Sequence, residues 1–373
     1  MQQLTELEAR PTSPLAWVIS NVGRVLISLF VPILTFVVLW QGFLFLRDSN
    51  APKIVIAIVA IIWGVGGVAL LYLVSNWLIE QLSPAWTSRL QPFVFVGPAI
   101  AILAWYLAIP TVRTLWISLL NNNSTEFVGL QNYINILFND RSMITALRNN
   151  LLWIIFGATF SVIFGLLIAV LADRSRFETI AKSLIFMPMA ISMVGAGVIW
   201  NFIYEVRQAG DPQIGLLNAL WVGVGGEPQA WTSLLQPWNN LFLIVIVIWL
   251  QAGFAMVLFS AAIKGIPGEI LEASRVDGAT EIQVFFRIMI PYIMGTIITV
   301  GTTILIFTLK IFDIVWVMTG GQFDTHVIAT QFYRQYFTNR NFGFGSAIAI
   351  LLLIGVIPVM IYNLKQFSER EAF

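Results

Sequence analysis

The polar side chains that could act chemically in this sequence are set inside apolar runs. Asn201 stands beside Trp200 and near Tyr204, Gln251 lies two residues after Trp249, and Lys310 comes three residues before Asp313. Amides and an ammonium group hydrogen-bond polar groups, while aromatic rings cover apolar C–H faces, so hydrogen bonding beside apolar ring surface is the chemistry on offer. Ionisable and amide groups at membrane depth are costly and read as functional candidates by default. Bond-making chemistry is not on offer. The chain has no cysteine and one histidine, His326, which excludes thiol catalysis, disulfides, iron–sulfur clusters and a histidine-built metal centre. No cluster of nucleophile, base or metal ligand stands out. None of the lysines (Lys53, Lys182, Lys264, Lys310 and Lys365) follows a glycine, so the Gly-Lys pair of a phosphate-cradling loop is missing.

The elements that must carry these residues are membrane helices. Of the 373 residues, 58% are hydrophobic and only 10% charged, against about 25% charged in an ordinary soluble domain. The apolar residues come in runs of about twenty, the length that spans a bilayer. These runs are continuous rather than alternating, which indicates helices and not a barrel. Eight spans are expected, at 24–46, 54–78, 93–117, 148–172, 184–205, 240–263, 292–316 and 344–365: an all-α polytopic protein. The polar stretch Met1–Pro14 and the lack of a small-residue cleavage site leave the first run as an anchor. A net charge of +1 gives no reason to expect nucleic acid.

An even number of spans puts both termini on one side. Eleven Lys and Arg residues fall on the terminal side and eight on the other, and the tight loop 173–183 carries Arg174, Arg176 and Lys182. Short basic loops stay inside, so cytoplasmic termini are expected. The longer loops 118–147 and 206–239, rich in Asn, Gln, Gly and Trp, then lie outside.

The connection 264–291 reads KGIPGEILEASRVDGATEIQVFFRIMIP. Pro267 suits the first position of a helix, and Ile270, Leu271 and Ser274 share one face of it. Asp277-Gly278 is a turn signal. Thr280 and Gln283 fit a capping box that opens a second short helix, with Ile282, Phe285 and Phe286 as its apolar stripe. Pro291 suits the start of the next span. A helix–turn–helix with an amphipathic face is left to dock on lipid or on protein.

In that segment Glu272-Ala273-Ser274, Asp277-Gly278-Ala279, Phe285, Ile288 and Pro291 resemble the EAA motif of the binding-protein-dependent ABC importer permeases. Ser274 stands where that family usually has alanine. The resemblance implies a type I importer permease fold in a bacterial inner membrane. Its loop would be a coupling helix seated in a cleft of a separate ATPase subunit, with Glu272 as charged anchor and Gly278 as sharp turn. It also implies the partners: a second permease subunit, two ATP-binding subunits holding ATP and Mg, and an extracytoplasmic solute-binding protein. Phe127-Val128-Gly129-Leu130 with Asn132-Tyr133, Phe312-Asp313 with Val317-Met318-Thr319-Gly320-Gly321, and Gly343-Phe344-Gly345-Ser346-Ala347 are similar to the sugar-uptake branch, as in the larger maltose permease subunit. The resemblance covers about residues 93–367, six of the eight spans, so 93–373 is expected as a six-helix core and 1–92 as a tail and two added helices. The run after Gly321 looks closest to α-glucoside and glucosylglycerol permeases.

By the same resemblance Trp249, Leu250, Gln251, Ile306 and Lys310 fall at substrate-contacting positions, although Gln251 replaces a glycine and Lys310 an asparagine. Asn201 and Asp313 join them from the residue reading. Bland roles remain open: Asn201 and Gln251 equally suit bonding between helices, and Lys310 can snorkel or pair with Asp313. An ion-coupled secondary transporter would need mid-membrane acidic residues on broken, repeated helices. A membrane-embedded enzyme would need a reactive cluster. The sequence supplies neither.

Overall fold

The structure, a computed structural model, describes residues 14–82 and 84–371; the polar N-terminal tail lies outside them. Among the described residues seven helices are long and apolar enough to cross a bilayer, and one bent pair reaches that length only when taken together. The chain forms two compact units, Met1–Pro110 and Thr111–Phe373.

The first unit holds α1 (Pro14–Asp48), α2 (Lys53–Glu80) and most of α3 (Pro84–Ile117). Trp63 lies directly over Gly42, whose missing side chain makes room for the ring, and its indole N–H donates to the Leu39 carbonyl at 3.0 Å. Tyr72 meets Phe95 edge-on with centroids 4.7 Å apart, and the Gln91 amide donates to Asn76 at 3.1 Å. These contacts tie the first half of α3 to α2.

In the second unit α4 (Arg141–Asp173) packs along α7 (Trp238–Lys264), the most buried of the long helices. Gly165 permits the approach: a Cβ there would lie 2.4 Å from the Ala255 Cβ. Phe259, Met256 and Ile304 fill one core, and Trp153, Leu243, Ile246, Ile314 and Val327 another. At one end Lys182 joins Asp173, Glu178 (2.5 Å) and Ser260, clasping α4 and α7 to α5 (Glu178–Ala190).

The expected straight span at 184–205 is instead α5 and α6 (Met193–Ile203), meeting at 105°. Ile191 and Ser192 between them are extended, and the Ser192 hydroxyl accepts from the Gly195 amide at 3.0 Å to cap α6. Despite the bend the pair runs the length of α7. Lys182 reaches Ser260, the Ile185 carbonyl abuts Gly253, Trp200 meets Trp249, and the Tyr204 hydroxyl donates to the Phe242 carbonyl. Residues 242 to 260 cover about 27 Å of helix, close to the roughly 30 Å hydrocarbon thickness. The bent pair therefore traverses the depth of one span.

The expected span at 292–316 also differs. Helix α9 (Glu281–Leu309) starts earlier, continues through a π turn at Phe285–Met289, and stops before Lys310. After Lys310–Phe312 the chain resumes as α10 (Asp313–Thr319), which packs on α6. The last helix, α11, is Phe342–Glu371.

Candidate functional site

Two places in the second unit carry the residues singled out by the sequence. The first is the link between α7 and α9. Helix α8 (Gly268–Val276) begins one residue after Pro267, which flanks it rather than opening it. Asp277 and Gly278 make the turn, with Gly278 at φ +84°, a conformation that only glycine adopts without strain. The expected capping box is present: the Thr280 amide donates to Gln283 Oε1 at 2.8 Å and the Gln283 amide to Thr280 Oγ1 at 3.4 Å.

The inner side of this link is anchored. Leu271, Ala279 and Phe285 pack on Ile266, Val284, Met289 and Ile293. Ser274 is buried, and its hydroxyl donates to the Leu271 carbonyl at 2.7 Å, so the extra oxygen is satisfied where alanine was expected. The outer side is free. Glu272, Ala273, Asp277 and Gly278 are exposed, as are Val276 at 87% and Ile282 at 71%. Glu281, which the sequence reading passed over, accepts from Arg275 and from Arg174, each at 2.8 Å. That pairing ties the link to the α4–α5 loop and holds the Arg275 guanidinium above its ordinary pKa. Its signal was faint, an acidic residue six positions after a basic one across a turn.

The second place is the break at Lys310–Phe312. A helix end inside a membrane protein frees carbonyls that must find donors. Here Asn150 supplies one: its Nδ2 donates to the Leu309 carbonyl at 2.8 Å while its Oδ1 accepts from the Ile328 amide at 2.7 Å. Asn149 donates to the carbonyls of Asp324 and His326, each at 2.7 Å, and Asn239 to that of Phe323 at 2.6 Å. Asn240 accepts from the Trp153 indole at 3.2 Å. All four asparagines are buried. The sequence reading missed them; adjacent amide pairs at the heads of two apolar runs were the available signal. His326 sits under Gly321, and burial, then the Arg334 guanidinium, hold its pKa below the ordinary value. Its Nε2 accepts from the Arg334 guanidinium at 3.0 Å.

Around this break the predicted residues are distributed unequally. Trp249 meets Trp200 edge-on at 5.8 Å, and Trp200 meets Tyr204 at 5.1 Å. The Trp200 indole N–H is buried without an acceptor. Leu250 is 3% exposed and belongs to the core beneath these rings rather than to any open face. Gln251 is half-buried and unbonded, but α7 is regular through it, so its side chain diverges from that of Trp249 by about 200°. Gly253 does not loosen the helix; it makes room for the Ile185–Phe186 backbone. Ile306 is half-buried on α9. Asn201 is exposed and unbonded on α6. Lys310 is exposed at the C-terminal end of α9 and Asp313 half-buried in the first turn of α10, the ends each charge favours. They form no ion pair, because the helix that would set them one turn apart is broken between them.

Two of the sequence signatures meet at a single corner. Asn132 donates to the carbonyls of Ser118 and Leu120 at 2.9 and 2.8 Å, and Tyr133 shares a 2.6 Å hydrogen bond with Ser118. Gly343 lies so close that a Cβ would be 2.1 Å from the same Leu120 carbonyl. Gly345 abuts the Tyr336 backbone in the same way.

Residues 161–368 match the family of binding-protein-dependent transport system inner membrane components. The osmoprotective compounds uptake permease protein of Synechocystis sp. is 50% identical over 278 residues, which are 74% of this chain and 99% of that protein. The alpha-glucoside transport system permease protein of Rhizobium meliloti is 50% identical over 286 residues, 76% of this chain and 84% of that protein. Among solved structures, a bacterial ABC transporter involved in the import of the acidic polysaccharide alginate has a chain of similar fold. The TM-score is 0.65 at 20% identity, with 77% of this chain and 99% of that chain covered.

Proposed function

This chain belongs to the family of binding-protein-dependent transport system inner membrane components, and from that premise we propose that it is the permease of an ATP-driven importer of a small α-glucoside or a related glycosylated osmoprotectant. ATP hydrolysis lies on separate subunits. The observation that carries the coupling role is the two-sided connection 264–291: its inner face is packed between α7 and α9, while Glu272, Val276 and Ile282 stand uncovered. An exposed apolar tip beside a charge suits a protein cleft. Two ATPase subunits, a second permease and an extracytoplasmic solute-binding protein complete the assembly. Purifying the tagged chain should recover the ATPase, and Val276→Asp should release it.

The substrate class rests on the two relatives at 50% identity and on the residues at the break. Trp249 and Trp200 offer apolar ring surface, the Trp200 N–H an unused donor, and Lys310 an unpaired ammonium. Lys310→Ala is expected to lower uptake per assembled complex about tenfold, the worth of one hydrogen bond to a charged group. Membrane abundance and basal ATPase activity should stay unchanged, since Lys310 makes no bond within the chain. Unaltered rate and selectivity across a panel of glucosides, in both Lys310→Ala and Trp249→Ala, would remove this site and leave the permease assignment standing.

Cytoplasmic termini are the orientation we propose, supported by the basic loop 173–183 and by counting the bent pair as one crossing. With no native cysteine, the orientation can be read directly. A membrane-impermeant thiol reagent on spheroplasts is expected to label Asn123→Cys and to spare Val276→Cys. The opposite pattern would invert the topology.

A further inference from the structure

A second polar site lies at the end of α4 remote from the coupling link. The π turn Asn135–Asn139, the turn Arg334–Thr338 and the start of α11 border an open pocket of about 330 Å³, lined by Asn135, Asn139, Asp140, Gln335, Asn341 and Phe344. That volume falls in the range of sites for small organic ligands. Ten residues of helix separate Asp140 from Asn150, about 15 Å at 1.5 Å per residue, so the pocket stands apart from the break at Lys310.

Its five polar side chains share one property: each is anchored by one atom and leaves the other unbonded. Asn135 Oδ1 accepts from Gln131 and from Asn139, at 3.1 and 2.9 Å, which leaves Asn135 Nδ2 and Asn139 Oδ1 free. Asp140 Oδ1 accepts from Ser142 and from the Met143 amide, at 2.7 and 2.9 Å, leaving Oδ2. Gln335 Oε1 accepts from Asn339 at 3.1 Å, leaving Nε2. Asn341 Oδ1 accepts from the Phe344 amide at 3.2 Å, leaving Nδ2. Anchoring fixes the orientation of groups that would otherwise lose rotamer entropy on binding.

The free set is three amide donors and two acceptors. An anion would meet the Asp140 carboxylate, and a cation would meet three amide nitrogens. A vicinal diol donates and accepts at every hydroxyl, and Phe344 supplies an apolar floor for its carbon face. We propose that this pocket binds a neutral hydroxyl-rich molecule, a monosaccharide glycoside or polyol, as a site separate from the one at Trp249 and Lys310. It stands on its own residues whether or not that inner site is correct.

The test uses the purified full chain with Thr338→Cys, an exposed neighbour of Gln335, carrying an environment-sensitive fluorophore. Methyl α-D-glucopyranoside is expected to give a saturable signal with Kd of ~1 mM, as for a small open site. The double variant Gln335→Glu/Asn341→Asp keeps both anchoring acceptors and turns two donors into acceptors, so affinity should fall at least tenfold with thermal unfolding unchanged. If that variant misfolds, Asn139→Leu, at an exposed position, makes the same test. Trp249→Ala should leave the signal intact. The proposal is overturned by absence of a saturable signal, by its survival in the pocket variants, by its loss in Trp249→Ala, or by a stronger response to calcium chloride than to the glucoside.

Discussion

Gly278→Pro is expected to insert in the membrane at normal level and to abolish coupled transport. Gly278 sits at φ +84°, whereas proline is held near −65°, so the Asp277-Gly278 turn cannot form as it stands. The substitution also removes the N–H that donates to the Arg275 carbonyl at 3.1 Å. It further disfavours the backbone of Asp277 before it, at φ −71° and ψ 2°. Losing this turn re-aims α8 relative to Glu281 and breaks the Arg275 pairing, so Glu272 and Val276 on α8 no longer present one surface with Ile282 beyond the turn. Insertion should survive, because the inner packing of Leu271, Phe285 and Val284 rests on the flanking helices.

Gly278→Ala separates strain from bulk. A Cβ at that position meets nothing within 4 Å, so its only cost is the left-handed backbone, about 1–2 kcal/mol. Partial activity is expected there, against a loss of more than tenfold in uptake for the proline variant. ATPase co-purification and uptake are measured together. Normal uptake by an intact Gly278→Pro complex would refute the role assigned to the link.

That turn was legible because its signals are local. Asp277-Gly278 and the Thr280–Gln283 box involve residues one to three apart, and the structure keeps both. The spans were legible for a similar reason, since hydropathy summed over twenty residues survives a change of backbone inside the window. The same summation hides a break. Ile191–Ser192 and Lys310–Phe312 interrupt runs whose composition stays apolar. The break at 310 is held by an amide 159 positions away in sequence, which no local pattern reports. Periodicity is a sound guide along α7: Trp249 and Gln251 diverge as a regular helix requires, and Gly253 serves the neighbouring backbone. The signatures at 127–133 and 343–347 were recognisable as strings, but their convergence on Leu120 belongs to the fold.

The asparagine that spans this distance gives the second large effect. Asn150 is 3% exposed and makes two bonds that nothing else replaces, one to the Leu309 carbonyl and one from the Ile328 amide. Asn150→Leu would keep similar bulk and strand both backbone groups in a buried setting. Each unsatisfied group costs about 1–3 kcal/mol, so the expected loss is about 2–6 kcal/mol, a large fraction of the stability of a folded domain. Asn150→Asp keeps an acceptor for Ile328 but opposes a carboxylate to the Leu309 carbonyl, and should be no milder. Asn201→Ala is the contrast, since that amide is exposed and unbonded, and it should leave abundance and unfolding temperature unchanged. Membrane abundance and thermal unfolding of the purified chain are the measurements. If Asn150→Leu behaves like Asn201→Ala, the segment from Lys310 to Val327 is held by the Asn149 and Asn239 bonds and by its apolar contacts with the Trp153 and Leu243 cluster, and the Asn150 amide is dispensable.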